Sequence, residues 1–175
     1  MLMRSGVTAV LVGGLLLNLA APVHAGAVRV GDGFPVTTVS DWQGGTVALA
    51  APTSGVMIVD FWASWCQPCR AALPELNAIA RRHAGSGLHV VAINIDKSQT
   101  PADAFLKTYV AVPAMRLLHD PNGAALARFG AAGMPALYVV DPHGVVRLVE
   151  SGFTVDKLRS VEELVVQLLE ADERR

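Results

Sequence analysis

The chain of 175 residues contains two cysteines, and they stand three positions apart in Trp65-Cys66-Gln67-Pro68-Cys69. An apolar run precedes them, Val56-Met57-Ile58-Val59-Asp60-Phe61-Trp62, and a helix-forming stretch follows, Arg70-Ala71-Ala72-Leu73-Pro74-Glu75-Leu76. That order predicts a buried strand, a tight junction and a helix whose first turn carries both thiols. The first turn of a helix has unpaired N–H groups and the positive end of the macrodipole, and both favour a thiolate on Cys66. Thiols so placed have pKa values lowered from about 8.5 to roughly 3.5–7.5. Pro68 fits there because the N–H it lacks has no helical partner. The chemistry this arrangement suits is reversible closure of a disulfide. A zinc site is a poor alternative: there is no second cysteine pair, and His83, His89, His119 and His143 lack ligand-like spacing. A purely structural bridge is a poor one too, since so short a loop barely constrains the unfolded chain.

The first 25 residues read as a secretory leader. Arg4 precedes an apolar stretch over residues 7–21, and Pro22-Val23-His24-Ala25 offers small residues at the key cleavage positions, so the expected cut follows Ala25. The stretch falls short of the ~20 residues of a membrane span, although an uncleaved N-terminal anchor is the alternative. Residues 26–175 then form a single domain with one core. The balance of 14 basic and 15 acidic residues, of which the leader removes Arg4, gives no reason to expect nucleic acid or an anionic membrane as a partner. An exported chain with one cysteine pair is expected to handle disulfides rather than depend on them.

Residues 34–39 and 46–49 predict an N-terminal hairpin, 56–61 a buried strand, 66–83 a helix kinked at Pro74, and 88–95 a second buried strand. Thr100-Pro101 is the expected cap of a helix running to Tyr109. A short strand over 114–119, the Asp120-Pro121-Asn122-Gly123 turn, a short helix over 124–129 and a hairpin of 136–140 with 145–150 follow. A last helix, capped by Ser160 and Glu163, turns Val161, Leu164, Val165, Leu168 and Leu169 to the core. The pattern is α/β, a sandwich with a mixed central β-sheet flanked by helices.

The segment Val59-Asp60-Phe61-Trp62-Ala63-Ser64-Trp65-Cys66-Gln67-Pro68-Cys69 resembles the active-site segment of the thioredoxin superfamily. The rest is similar to its exported TlpA/ResA-like branch. The N-terminal hairpin extension, the helical insert around Pro101, the Asp120–Gly123 turn and Gly133-Met134-Pro135 before an apolar strand support this, over roughly residues 30–169. The resemblance implies a thioredoxin-like fold and a thiol-disulfide oxidoreductase that needs no cofactor beyond its cysteine pair and no metal. It also implies protein disulfides as substrates, a membrane-bound thiol electron donor and a periplasmic or otherwise exported location; the oligomeric state is left open, with a monomer favoured.

Cys66, at the helix tip, is the expected nucleophile, and Cys69, one turn inward, the resolving thiol. Trp65 and Pro68 shape the rim, with plain surface packing an equal account of Trp65. Asp60 lies in a strand that should be buried, where a lone carboxylate is expensive. The resemblance makes it a proton acceptor for Cys69; a solvated strand end is the alternative. Ala92 occupies the place where thioredoxins usually carry a lysine near this acid. By the same resemblance Pro135 follows a cis peptide bond and packs beside the cysteines, leaving the Met134 backbone to pair with a substrate strand. Ala136 stands where relatives often have threonine. Ala72 stands where branch members serving cytochrome c maturation carry glutamate, the nearest acid being Glu75, which weakens assignment to haem-protein assembly. Asn94 and Asp96 are expected to shape a turn.

Two other functions compete. A thiol peroxidase is suggested by Gly31-Asp32-Gly33-Phe34-Pro35, but Ser64-Trp65-Cys66 lacks the Thr-x-x-Cys that chemistry uses. A non-catalytic binding or metal-handling module on the same fold is the other, since fold alone does not fix activity.

Overall fold

A computed structural model of the protein describes residues 26–174. The expected leader lies outside the described residues. The elements run β1 (Thr37–Asp41), β2 (Thr46–Leu49), β3 (Val56–Trp62), α1 (Gln67–Arg82), β4 (Leu88–Asn94), α2 (Gln99–Tyr109), β5 (Arg116–His119), α3 (Ala124–Phe129), β6 (Ala136–Val140), β7 (Val146–Ser151) and α4 (Val155–Glu173). The strands form one mixed sheet in the order β2-β1-β5-β4-β3-β6-β7. β3, β4 and β5 run parallel, and the β1–β2 and β6–β7 hairpins are added antiparallel at the two sides.

Helices cover both faces of this sheet, which is why its central strands read as continuous apolar runs rather than alternating ones. The period of two nonetheless sorts their side chains. Ile58 and Trp62 of β3, Ala92 of β4 and Leu137 of β6 pack with α1, α2 and α4. Val59, Phe61, Ile93 and Tyr138 pack with α3 on the other face. Asp60 shares the parity of Ile58 and Trp62, so it faces α1 and α4. Leu73, Leu76, Ile79 and Ala80 of α1 are buried as their spacing predicts, and the helix runs on past Pro74.

Two helix starts differ from the sequence expectation. The cap of α2 is Ser98, whose hydroxyl accepts the Thr100 N–H at 3.4 Å, so Pro101 sits two residues further in than expected. α4 is capped by Thr154, whose hydroxyl accepts the Lys157 N–H at 3.1 Å. Ser160 and Glu163 are therefore interior residues of α4. The Thr154 cap precedes a stretch with Asp156, Lys157 and Arg159 exposed or half-buried, and this weak apolar pattern hides an extra turn and a half of helix. Leu158 then joins Val161, Val165 and Leu169 on the buried face, with Leu164 and Leu168 partly buried beside them.

Candidate active site

The β3–α1 junction is built by a polar network behind it. The Asp96 carboxylate accepts the Ser64 N–H and hydroxyl, each at 2.9 Å, and the Asn94 side-chain amide at 2.8 Å. The Asp96 N–H donates to the Asn94 side-chain oxygen Oδ1 at 3.1 Å, and His119 Nε2 donates to the Asp96 backbone carbonyl at 2.6 Å. Asn94 and Asp96 thus do shape a turn, but they also tie β4 and β5 to the residue two before Cys66. With the network fixed, Cys66 N–H bonds the Ala63 carbonyl at 3.1 Å and helix α1 begins.

Cys66 is the N-cap of α1. Its sulfur accepts the Cys69 N–H at 3.3 Å, the position a serine or aspartate oxygen takes in ordinary caps. The two cysteines are joined in a disulfide with their Cα atoms 5.2 Å apart. Cys66 keeps 7% of its surface open to solvent and Cys69 none. No acid lies in the first turn of α1 to oppose a thiolate, and Arg81 and Arg82 complement the other end of the dipole. Pro68 is exposed in the first turn of α1, and Trp65 just before it is 68% exposed. The Arg70 guanidinium lies 5.3 Å from the Phe105 ring centre and 5.8 Å from that of Tyr109, which brings the insert helix α2 to the same rim.

The Met134–Pro135 peptide bond is cis. Met134 is half-buried against the core that contains both cysteines, and Pro135 is buried. Asp60 has no exposed surface, and neither of its carboxylate oxygens has a hydrogen-bond partner. Burial alone pushes its pKa well above the ordinary value of 3.8. The solvated strand end is ruled out. Ala92 pairs with it on the adjacent strand β4, as the resemblance implies. Asp60 lines a small cavity with Ala72, Pro135, Glu150 and Lys157. The last two belong to β7 and α4 and had no signal in the sequence beyond their charge.

Among the described residues, no group of three or more His, Cys, Asp or Glu side chains could hold a metal, and no helix is long and apolar enough to cross a membrane. The cysteine pair at the tip of α1, beside a buried acid, suits the exchange of a thiol pair and a disulfide. Such a site on a thioredoxin-like fold defines a thiol-disulfide oxidoreductase. Residues 30–149 match the AhpC/TSA family, and the chain belongs to it. It is similar to the thiol-disulfide oxidoreductase ResA of Oceanobacillus iheyensis, 29% identical over 138 residues covering 74% of this chain and 69% of that one. ResA of Bacillus subtilis is 24% identical over 158 residues, covering 89% and 87%. A crystal structure described as a thiol:disulfide interchange protein DsbE from Chlorobium tepidum superposes with a TM-score of 0.74 at 31% identity, covering 82% of this chain and 99% of that one.

Proposed function

We propose that the protein reduces disulfides in exported protein substrates, with Cys66 as the attacking sulfur and Cys69 as the resolving one. The Cys66 thiolate attacks a substrate disulfide, forming a mixed disulfide and releasing one substrate sulfur as a thiolate. Cys69 gives its proton to the Asp60 carboxylate and attacks the Cys66 sulfur. The second substrate thiolate leaves, and two electrons have passed from the enzyme pair to the substrate. A membrane-bound thiol donor then returns the Cys66–Cys69 pair to the reduced form. Trp65 and Pro68 form the rim that meets the substrate, and the Met134 backbone, ahead of Pro135, pairs with its extended chain. Residues 1–25 direct export and are removed, leaving residues 26–175 as one thioredoxin-like domain in the periplasm or its equivalent. The names of the relatives, thiol-disulfide oxidoreductase and thiol:disulfide interchange protein, support the substrate class.

The observation that carries the division of roles is the cap: the Cys66 sulfur holds a backbone N–H at the helix tip while Cys69 is sealed beneath it. Cys69→Ser is expected to accumulate mixed disulfides with substrate proteins, and Cys66→Ser few or none, read on non-reducing gels of each variant expressed with its leader. Equal trapping by the two variants refutes the assignment.

A further inference from the structure

In register across four strands stand Ala92 of β4, Asp60 of β3, Leu137 of β6 and Glu150 of β7. Residues in one such row point to the same face of a sheet, here the face under α1 and α4. Asp60 and Glu150 are therefore two strand spacings apart, about 10 Å, and their side chains rise into the same space. That space is a cavity of about 10 Å³, on the scale of a single water. Its lining includes Ala72, one helical turn beyond Cys69, together with Pro135, Glu150 and Lys157.

Few of the groups around Asp60 carry charge. β4 supplies Ala92, β6 supplies Leu137, and α1 supplies Ala72 and Leu76, none of which can ionise, together with Cys69, which does not titrate in the disulfide. β7 supplies Glu150 and α4 supplies Lys157, with Leu158 and Val161 beside it. The charged side chains lining the cavity with Asp60 are thus one carboxylate and one ammonium. Lys157 Nζ meets Glu150 Oε1 at 2.5 Å and the Ser151 carbonyl at 2.6 Å. The two side chains keep 38% and 32% of their surface exposed, so the pair stands where the cavity meets solvent.

We propose that the Glu150–Lys157 pair sets the charge state of Asp60, and thereby the pH range over which this buried acid can take a proton during thiol exchange. The proposal rests on the role given to Asp60 above. The two charges, joined at 2.5 Å, act on Asp60 with opposite signs, so the intact pair keeps them balanced. Removing either partner unmasks the other. A unit charge about 10 Å away in a medium of effective dielectric about 20 moves a titration by about one pH unit. The two single variants must therefore move Asp60 in opposite directions, which mere loss of packing cannot do.

The side-chain carboxyl of Asp60 can be titrated by carbon NMR in the oxidised protein labelled at aspartate, its signal assigned by its loss in Asp60→Asn. Glu150→Gln is expected to lower the midpoint by about one pH unit and Lys157→Met to raise it by a similar amount. The double variant should return close to the parent, and Lys157→Arg, which keeps the charge, should stay there. Midpoints that do not move, or that move the same way in both single variants, overturn the pair's control and leave the cysteine roles untouched. The second arm is the pH profile of disulfide reduction in the same variants, expected to follow the midpoints. Shifted midpoints with an unmoved profile overturn the link to exchange and, with it, the role of Asp60.

Discussion

Asp60 and Asp96 are both buried carboxylates close to the cysteine motif, and they are treated in opposite ways. Asp96, at the end of β4, accepts three side-chain or backbone donors and binds two more partners through its own backbone. Asp60, in the middle of β3, accepts none. A buried acid with its lone pairs occupied is a strut, and Asp96 fixes Ser64 so that the chain turns and presents Cys66 as the helix cap. An acid with its lone pairs idle costs free energy in that place and gains nothing structural from it. What it retains is the freedom to take up or release a proton. The fold thus separates a hydrogen-bonded carboxylate, just past the end of β4, from an unpartnered one within β3.

The largest expected effect is at the strut. Asp96→Ala leaves the Ser64 N–H and the Asn94 amide without their acceptor and should cost about 3–4 kcal/mol of stability. Chemical denaturation would measure it, and a loss below about 1 kcal/mol would show that the network is not what holds the junction. Asp60→Asn should do the reverse and stabilise the protein at pH 8, on the order of 2 kcal/mol. The sign follows from the direction of its shift. A carboxyl whose folded value is raised favours folding fully below its unfolded value, near 3.8, and loses that favour as pH rises through the folded value. The gain from asparagine should accordingly grow with pH across that interval and be small at its acid end. A gain that is the same at every pH would mean that Asp60 titrates alike in the folded and unfolded protein.

The two acids also differ in how legible they were. Asp60 stood out because it interrupts a run of seven residues that are otherwise all apolar, so burial and idleness were both readable from β3 alone. The strut was only half-readable: Asn94 and Asp96 announce a turn, but their bonds to Ser64 and His119 join residues 32 and 23 positions away, a distance local pattern does not reach. The start of α4 was missed for a related reason. Thr154 caps five residues of mixed polarity, and the apolar period that marks the helix strengthens only at Leu158 and Val161. Glu150 and Lys157 were invisible as a pair, since β7 and α4 are brought together only by the sheet register and the packing of α4 over β3.

A third buried acid gives the comparison its opposite slope. Asp141, after β6, accepts the His143 and Val145 N–H groups, each at 2.9 Å, and Arg147 Nε at 2.7 Å. Burial pulls its pKa upward, but the Val145 and His143 N–H groups and Arg147 outweigh it and hold the carboxyl below 3.8. Its stabilisation is therefore present above the unfolded value and lost as pH falls through the folded one. Asp141→Asn should cost about 1.5 kcal/mol at pH 7 and much less near pH 2. Stability curves of Asp60→Asn and Asp141→Asn, each relative to the parent, should then tilt in opposite directions with pH. Parallel curves would erase the distinction between a satisfied and an unsatisfied acid.

The smallest effect belongs to an acid at the surface. Glu162 of α4 receives Arg82 through two bonds, 2.9 and 2.7 Å, and His83 Nε2 at 2.9 Å, fastening the end of α1 to α4. The Arg82 bonds lower its pKa below the ordinary 4.5, with burial pulling upward and His83 adding to the lowering. Solvent reaches both partners, with Arg82 53% exposed, so the charges are screened. Glu162→Gln should cost only about 0.5–1 kcal/mol at low salt. Because the carboxyl's value is depressed, that cost should fade as pH drops through the folded value, and it should shrink as salt is added. Thermal melts at two ionic strengths would read both trends. A loss of about 3 kcal/mol that salt does not reduce would place Glu162 with Asp96 as a strut, and the division between buried geometry and surface pairing would have to be redrawn.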